Sequence, residues 1–406
     1  MIFLFRKNLK TQGLILPSHD GKGQFDMNYN MNEKRCQMQN FEIGVVLTDK
    51  KSNGKERPWK EHKLESTSLG DSYGRLFIKT GFEKYLNRHH RCYGCGSYLE
   101  FRLVEDGLIK LKRANFCQIP LCPMCAWRRS LKLSANVGKA MKALEVDGYR
   151  FIFLTLTVES VTGKEVLNTM DKLCQAFNRL SKYKMFKDSV KGWFRALEVT
   201  HDTKRKITKT IYKERKEYYD NRNLKIGDVN PNFDTYHPHF HVMLAVNKSY
   251  FKKKSEYITH EKWVNMWQKA LKVEYTPIVN VKAVKDGNGG SAREVAKYSV
   301  KSGDYLVGER DEETKFLVKV DEEMTDDVVA ILTDALHKRR LVGWGGICDE
   351  KRKELDIEAD VLADVNIDGG NDGKKDEQEI ILIYRWFGVG FMNYKLTEIR
   401  QEVAEF

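Results

Sequence analysis

Residues 237–246 read HPHFHVMLAV, and this run constrains the chain more than any other. On a strand, successive side chains point to opposite faces. His237, His239 and His241 then share one face, while Phe240, Val242, Leu244 and Val246 share the other, which must be buried. Pro238 suits the start or edge of a strand and holds the residue before it extended. The run predicts a strand with a core on one side and three imidazoles at one end of the opposite face. Two imidazoles at i and i+2 can hold one divalent ion together. A third ligand should come from an adjacent strand. Glu198, near the polar end of ALEVT (residues 196–200), is the candidate, with Thr155 and Thr157 nearby. Single histidines are ordinarily satisfied surface or core residues; three on one strand face are not explained that way.

The flanking sequence supplies the rest of a sheet. Strands are expected at 149–158 (YRFIFLTLTV), 192–200, 239–246 and 277–284. A helix over 164–183 carries Leu167, Met170, Leu173, Phe177 and Leu180 on one stripe, and a second over 261–273 carries Trp263, Trp267 and Leu271. A last helix is expected over 292–305. The order β-α-β-β-α-β-α predicts an α+β fold whose first six elements are ferredoxin-like, an antiparallel sheet with helices on one face and the other face free for a site. Residues 203–232, rich in charge, interrupt this plan and either extend a hairpin or hang as a basic arm.

Five of the eight cysteines fall between positions 92 and 125. The two CxxC pairs, Cys92/Cys95 and Cys122/Cys125, can close a tetrahedral thiolate site for structural zinc, with Cys117 able to replace one of the four. Reduced, buried cysteines are the other account. A redox role lacks the βαβ context that would support it. The helix that follows, AWRRSLKLSANVGKAMKALEV, has Leu133, Val137, Met141 and Leu144 at helical spacing. Arg128, Arg129, Lys132, Lys139 and Lys142 make it basic. A basic helix braced by a metal knuckle is a plausible DNA-contacting unit, and a solvated helix face explains the same residues. Residues 50–63, KKSNGKERPWKEHK, read as a basic solvated loop, with nucleic-acid contact through its cations and Trp59 the other reading.

Lysine and arginine (70) exceed aspartate and glutamate (57), a formal charge of +13. Residues 349–379 alone hold 12 acidic and 5 basic residues, so the remainder is more basic still. A polyanion such as nucleic acid is the expected partner. No apolar run approaches the length of a membrane span. Arg6 and Lys7 end MIFLF at once, on the wrong side for a signal peptide. A cytoplasmic protein with no membrane partner is expected.

In the stretch AREVAKYSVKSGDY (292–305), Glu294 and Tyr298 lie four apart on one helical face, and Lys297 and Lys301 flank the tyrosine. A tyrosine hydroxyl, with a pKa near 10, becomes a useful nucleophile only where cations and a metal stabilise the developing charge. The carboxylate one turn away can take a proton from the tyrosine or from a water. Alone this pattern is weak; beside the histidine strand it forms a constellation.

With FLTLT (153–157), YHPHFHVML (236–244) and EVAKYSVK (294–301), and with CPMCAWRRSLK, ERPWKE and AVNKSYF elsewhere, the sequence resembles the rolling-circle replication initiators of small plasmids of Gram-positive bacteria, the type-1 Rep group of the HUH endonucleases. The resemblance runs from about residue 57 to 344. It implies that His239 and His241, with Glu198 and His237, bind Mg²⁺ or Mn²⁺. It implies that Tyr298 attacks the scissile phosphate, giving a 5′-phosphotyrosyl link and a free 3′ hydroxyl, and that Glu294 activates a water for termination. Origin DNA, single-stranded or extruded as a hairpin, and a host helicase and polymerase are the implied partners. The chain then divides into a basic N-terminal region (1–90), a zinc-ribbon-like cysteine region with its helix (91–148), a nicking domain (149–309), a helical extension (310–355), an acidic linker (356–379) and a tail (380–406). The insertion departs from the family pattern. A relaxase or transposase of the same chemistry is an alternative, although relaxases generally place the tyrosine before the histidines. A non-catalytic zinc-dependent DNA-binding regulator is another; it leaves the histidine strand unexplained.

Overall fold

The computed structural model describes residues 41–51, 53–104, 108–284, 301–358 and 378–403. Residues 1–45 and 46–406 form two units, and the elements below belong to the second. Its first helix, α1 (Trp59–Thr80), ends at Gly81, whose left-handed φ of 71° lets its N–H reach Phe77 O at 2.7 Å. The buried face of α1 includes His62, Lys63, Glu65, Ser66 and Ser72 beside Trp59, Leu69, Tyr73 and Leu76. The basic loop expected over 50–63 therefore stops at Pro58. Trp59 is inside, its ring 5.6 Å from that of Phe101 and 4.8 Å from that of Trp127. Leu69, Tyr73 and Leu76 keep the apolar period, but it is broken before them, where Lys63, Glu65 and Ser66 are buried against polar partners.

Helix α2 (Glu83–Gly94) leads into the hairpin β1 (Tyr98–Leu103) and β2 (Ile109–Ala114). Helix α3 (Pro123–Val146) starts with proline in its first turn, where a missing N–H costs nothing. Then come β3 (Tyr149–Thr157), α4 (Val166–Leu180), β4 (Val190–His201), β5 (Tyr236–Asn247), α5 (His260–Leu271) and β6 (Val279–Ala283). These four strands are antiparallel and stand in the order β6-β3-β5-β4, which is 4-1-3-2 when they are counted along the chain. Helices follow the first and third strands, the β-α-β-β-α-β connection expected from the sequence. After a small hairpin, β7 (Gly308–Arg310) and β8 (Leu317–Val320), helix α6 (Glu322–Ala335) leads to β9 (Val342–Gly346), which adds a fifth strand beside β4, and to α7 (Ile347–Glu354).

Helices α4 and α5 cover one face of this sheet: the Phe177 ring lies 5.5 Å from Phe240, and Trp267 Nε1 donates to Thr157 O at 2.8 Å. The other face is not open along its length, contrary to the expectation of helices on one face. The stripe Leu133, Val137, Met141 and Leu144 of α3 packs there with Phe151, Phe153, Phe194, Met243, Ala245 and Cys348. A stripe of this kind must be buried somewhere, and this face of β3, β4 and β5 offers apolar residues to receive it. The cluster takes in Met243 and Ala245 and stops before His241 and His239.

The insertion extends the β4–β5 hairpin. Asp202 N–H donates to Thr235 O at 3.0 Å, Asn230 N–H to Arg205 O at 2.9 Å and Ile207 N–H to Asp228 O at 2.9 Å. Short helices, Lys209–Glu214 and Lys216–Asp220, sit on this extension. The helix expected over 292–305 is not continuous: Lys301 is extended (φ −78°, ψ 146°) and a single turn, Ser302–Tyr305, follows it. The apolar tail forms β10 (Gln378–Phe387) and β11 (Asn393–Val403), and β10 pairs with β1 to give the antiparallel sheet β11-β10-β1-β2. Most of the expected acidic linker lies outside the described residues. Among the described residues no helix is long and apolar enough to cross a membrane.

Candidate functional site

Strand β5 runs between β3 and β4, and the register brings the histidines to their partners. His239 stands opposite Glu198 on β4 and Thr157 on β3; His241 stands opposite Thr155. Alternation turns these side chains to the face left uncovered by α3. His241 Nε2 lies 2.8 Å from Glu198 Oε2, His239 Nε2 lies 3.5 Å from the same oxygen, and the two Nε2 atoms are 3.2 Å apart. All three groups are buried, with Glu198 3% exposed and each histidine 8%. The second nitrogen of each ring is engaged elsewhere: His239 Nδ1 donates to His237 O at 3.0 Å, and His241 Nδ1 lies 3.4 Å from Thr155 Oγ1. Such outer bonds aim an imidazole and fix which nitrogen is offered inward. Two imidazole nitrogens and a carboxylate oxygen within 4.8 Å of one another fit a divalent cation.

Glu198 is held ionised. Burial opposes its charge, but hydrogen bonds from His239 and His241 and the charges of His239 and Lys301 prevail, so its carboxyl stays well below the ordinary range. Lys301 Nζ sits 3.0 Å from the other oxygen, Glu198 Oε1. His237 is outside the three-ligand group. Its ring stacks 5.3 Å from that of His239, and burial and the neighbouring His239 lower its pKa to about 4. Thr157 Oγ1 donates to Ile278 O at 2.8 Å, which serves the edge strand. Tyr298, Glu294 and Lys297 lie outside the described residues. Tyr305 is fully buried, and its hydroxyl donates to Leu121 O.

The second cluster joins α1, α2, the loop after β2 and the start of α3. Cys95, Cys117, Cys122 and Cys125 lie within 4.8 Å of one another, all buried. Of the expected four, Cys92 is buried beside this group, and Cys117 stands within it. The cysteines sit on helix ends and a loop rather than on two facing hairpins as a ribbon would have them: Cys95 ends α2 and Cys122 caps α3. Cys95 Sγ is 3.5 Å from both Cys122 Sγ and Cys125 Sγ. Backbone N–H groups of Cys117 and Gln118 donate to Cys95 Sγ at 3.4 Å and Cys125 Sγ at 3.2 Å. Lys63, 1% exposed, donates to Cys95 O at 2.9 Å. Its burial lowers its pKa, and the cysteine sulfurs oppose the shift. A four-thiolate metal site carries net negative charge, and Lys63 is placed to offset it.

The three cations expected to meet DNA at the start of α3 have internal partners. Arg128 is buried, its guanidinium over the rings of Trp59 (5.3 Å) and Trp127 (5.5 Å). Arg129 donates to Ile119 O at 2.8 Å, bracing the cysteine loop, and Lys132 reaches Glu358 at 3.3 Å. Sequence reasoning missed the buried polar set of α1, whose only signal was Trp59 beside a proline.

An antiparallel α+β sheet carrying a His₂Glu cluster, in a chain that also carries a four-cysteine cluster, defines a class of protein with two groups of side chains able to hold a metal ion. The family model described as "Replication protein" matches residues 108–392. "Protein rep" of Bacillus amyloliquefaciens is 35% identical over 334 residues, covering 77% of this chain and 86% of that protein. "Protein rep" of Streptococcus pneumoniae serotype 2 (strain D39 / NCTC 7466) is 36% identical, covering 77% and 84%, and that of Lactiplantibacillus plantarum is 34% identical, covering 83% and 94%. No solved structure matches the chain significantly. The chain belongs to this replication-protein family, that of plasmid replication initiators.

Proposed function

We propose that the chain starts rolling-circle replication of a plasmid by nicking one strand at its double-strand origin. The observation that carries this is the Glu198–His239–His241 cluster on the central strands of the sheet. The 4-1-3-2 strand order, with the imidazole pair on a central strand, supports a ferredoxin-like HUH nuclease. Glu198, His239 and His241, with His237 adjacent, would hold Mg²⁺ or Mn²⁺, which when bound supplies Lewis-acid polarisation of a phosphoryl oxygen. Tyr298 is the nucleophile. Its oxygen bonds to phosphorus as the bond to the 3′ oxygen breaks; the tyrosine proton passes to a base, and the departing 3′ oxygen takes up a proton from water and leaves as a hydroxyl. Glu294 takes the proton of the water that ends the cycle. Lys301, held on Glu198, lies three residues from Tyr298, a chain reach of about 10 Å. Lys297 and Lys301 stabilise the phenolate. The free 3′ hydroxyl is a primer for a host polymerase, and the displaced strand requires a host helicase. Cys95, Cys117, Cys122 and Cys125, with Cys92 beside them, would hold zinc, which when bound would tie together the helix ends and loop that carry them.

The test is cleavage of supercoiled plasmid carrying the gene and its flanks, with Mn²⁺, followed by mass spectrometry of the Tyr298 peptide. A nucleotide adduct that disappears in Tyr298→Phe is expected. Plasmid bound but never nicked favours a regulator. Nicking that survives Tyr298→Phe means another nucleophile.

A further inference from the structure

We infer that the insertion between β4 and β5 is a clamp for duplex DNA flanking the nicked strand; this rests on the nicking reading and names a further contact for the same substrate. Residues 203–232 hold nine lysines and arginines against four aspartates and glutamates. The segment is built rather than loose. Ile207 is 1% exposed, Tyr219 is fully buried, and Asn230 is 2% exposed. Asn230 Nδ2 donates to Lys204 O at 2.9 Å, and Tyr219 OH donates to Asn230 Oδ1 at 3.4 Å. Helices of six and five residues do not persist alone in water, so this small core is what holds them.

Its aromatic faces are used internally. Tyr212 stacks on Tyr219 at 5.9 Å, and the Arg222 guanidinium lies over the Tyr218 ring at 3.9 Å. Outward the platform presents Lys204, Lys206, Lys209 and Lys213; Glu214, Glu217, Asp220 and Asp228 are exposed as well, and the balance of the segment stays positive by five charges. Lys209 and Lys213 are four apart on one helix and share a face. A surface with cations and no spare rings suits phosphate contact without base stacking, which is how a duplex backbone is held irrespective of sequence. Single strands, by contrast, are held on aromatic platforms.

Position fixes which DNA. The extension leaves the sheet at the histidine end, where Thr200 pairs with His237 and His201 with Tyr236. Strand β4 ends at His201, so at about 3.3 Å per residue chain reach places Lys204 and Lys206 at most roughly 20 and 26 Å from Glu198. That is less than one turn of duplex, about 34 Å. A scissile phosphate at Glu198 therefore puts the neighbouring stem of an extruded hairpin against the lysines.

The test is binding by fluorescence anisotropy of two labelled probes: a single-stranded oligonucleotide, and a hairpin with the same loop on a stem of about 12 base pairs, roughly one turn. The quadruple variant Lys204→Gln, Lys206→Gln, Lys209→Gln, Lys213→Gln leaves Arg205, Arg215 and Arg222, which have structural partners, in place. Each phosphate that the protein no longer neutralises lowers the log–log salt slope by about 0.9, so a fall of about 2–4 is expected for the hairpin, with single-strand binding unchanged. A quadruple Lys→Arg variant should bind the hairpin as the unaltered protein does. Equal slopes for the unaltered and glutamine proteins overturn the clamp. Equal weakening on both probes assigns the lysines to single strand and overturns it as well. Failure of the unaltered protein to nick its plasmid sinks the nicking reading and leaves the stem-binding comparison standing.

Discussion

Glu198 binds both imidazoles through one oxygen and Lys301 through the other. Replacing it with glutamine removes the charge and keeps the shape. Mn²⁺ affinity measured by calorimetry is expected to fall by more than about 100-fold, beyond the 10–100-fold typical of losing an outer partner of a ligand, and plasmid nicking should fall with it. Acid acts on the same site with a definite sign. A depressed pKa means that the unfolded chain binds more protons, so stability rises with pH across the shift. For His237 that window runs from the ordinary 6.5 down to about 4. In metal-free protein, the melting temperature of the unaltered chain should drop across this window more steeply than that of His237→Gln; parallel curves would show that His237 is not held neutral. Glu198 contributes from the acid end of this window downward, its stabilisation complete above the ordinary 4.5 and lost on further acidification. The histidine pair and Glu198 were legible because strand alternation is a local rule and β4 and β5 are consecutive strands paired antiparallel despite the insertion between them. The burial of Arg128 was not legible, because nothing in WRR says that one guanidinium packs against the rings of Trp59 and Trp127.

Helix α3 was read correctly as amphipathic, yet its destination was not legible. Leu133, Val137, Met141 and Leu144 identify a buried stripe, but which sheet face receives it depends on contacts far along the chain, at Phe194, Met243 and Cys348. Helix α1 was not legible at all, since its interior includes Lys63, Glu65 and Ser66, each with a partner distant in sequence. Because α3 and the sheet share one core, damage to the helix should reach the histidine strand. Leu144→Ala is expected to cost about 2–5 kcal/mol. Denaturant unfolding followed by far-UV circular dichroism and by tryptophan fluorescence should shift together. Separate transitions would mean that the helix and the sheet unfold independently.

At the scale of the whole molecule, the last described strands complete a sheet begun near residue 98. Strand β10 pairs with β1 from Tyr98–Arg385 to Arg102–Ile381, and Tyr394 OH donates to Gly96 O at 2.7 Å, next to Cys95. A chain ending at residue 377 keeps every residue of the histidine site but leaves an edge of β1 unpaired, a template for association. Size-exclusion chromatography should show it aggregating, with less than the full complement of bound zinc. A monomeric truncated protein with its zinc intact would show the hairpin to be dispensable. The tail's apolar character was readable, its docking place was not, since strand partners so far apart leave no local trace.

That pairing sets a clock on synthesis. Strand β1 leaves the ribosome early, and its partner follows only once residue 378 and those after it have emerged. At about 5–20 residues per second, the wait is on the order of fifteen seconds to a minute. During it β1 lacks its β10 partner, while the strands around the histidines are made in between. The sheet β11-β10-β1-β2 therefore closes only after residues 378–403 have been made.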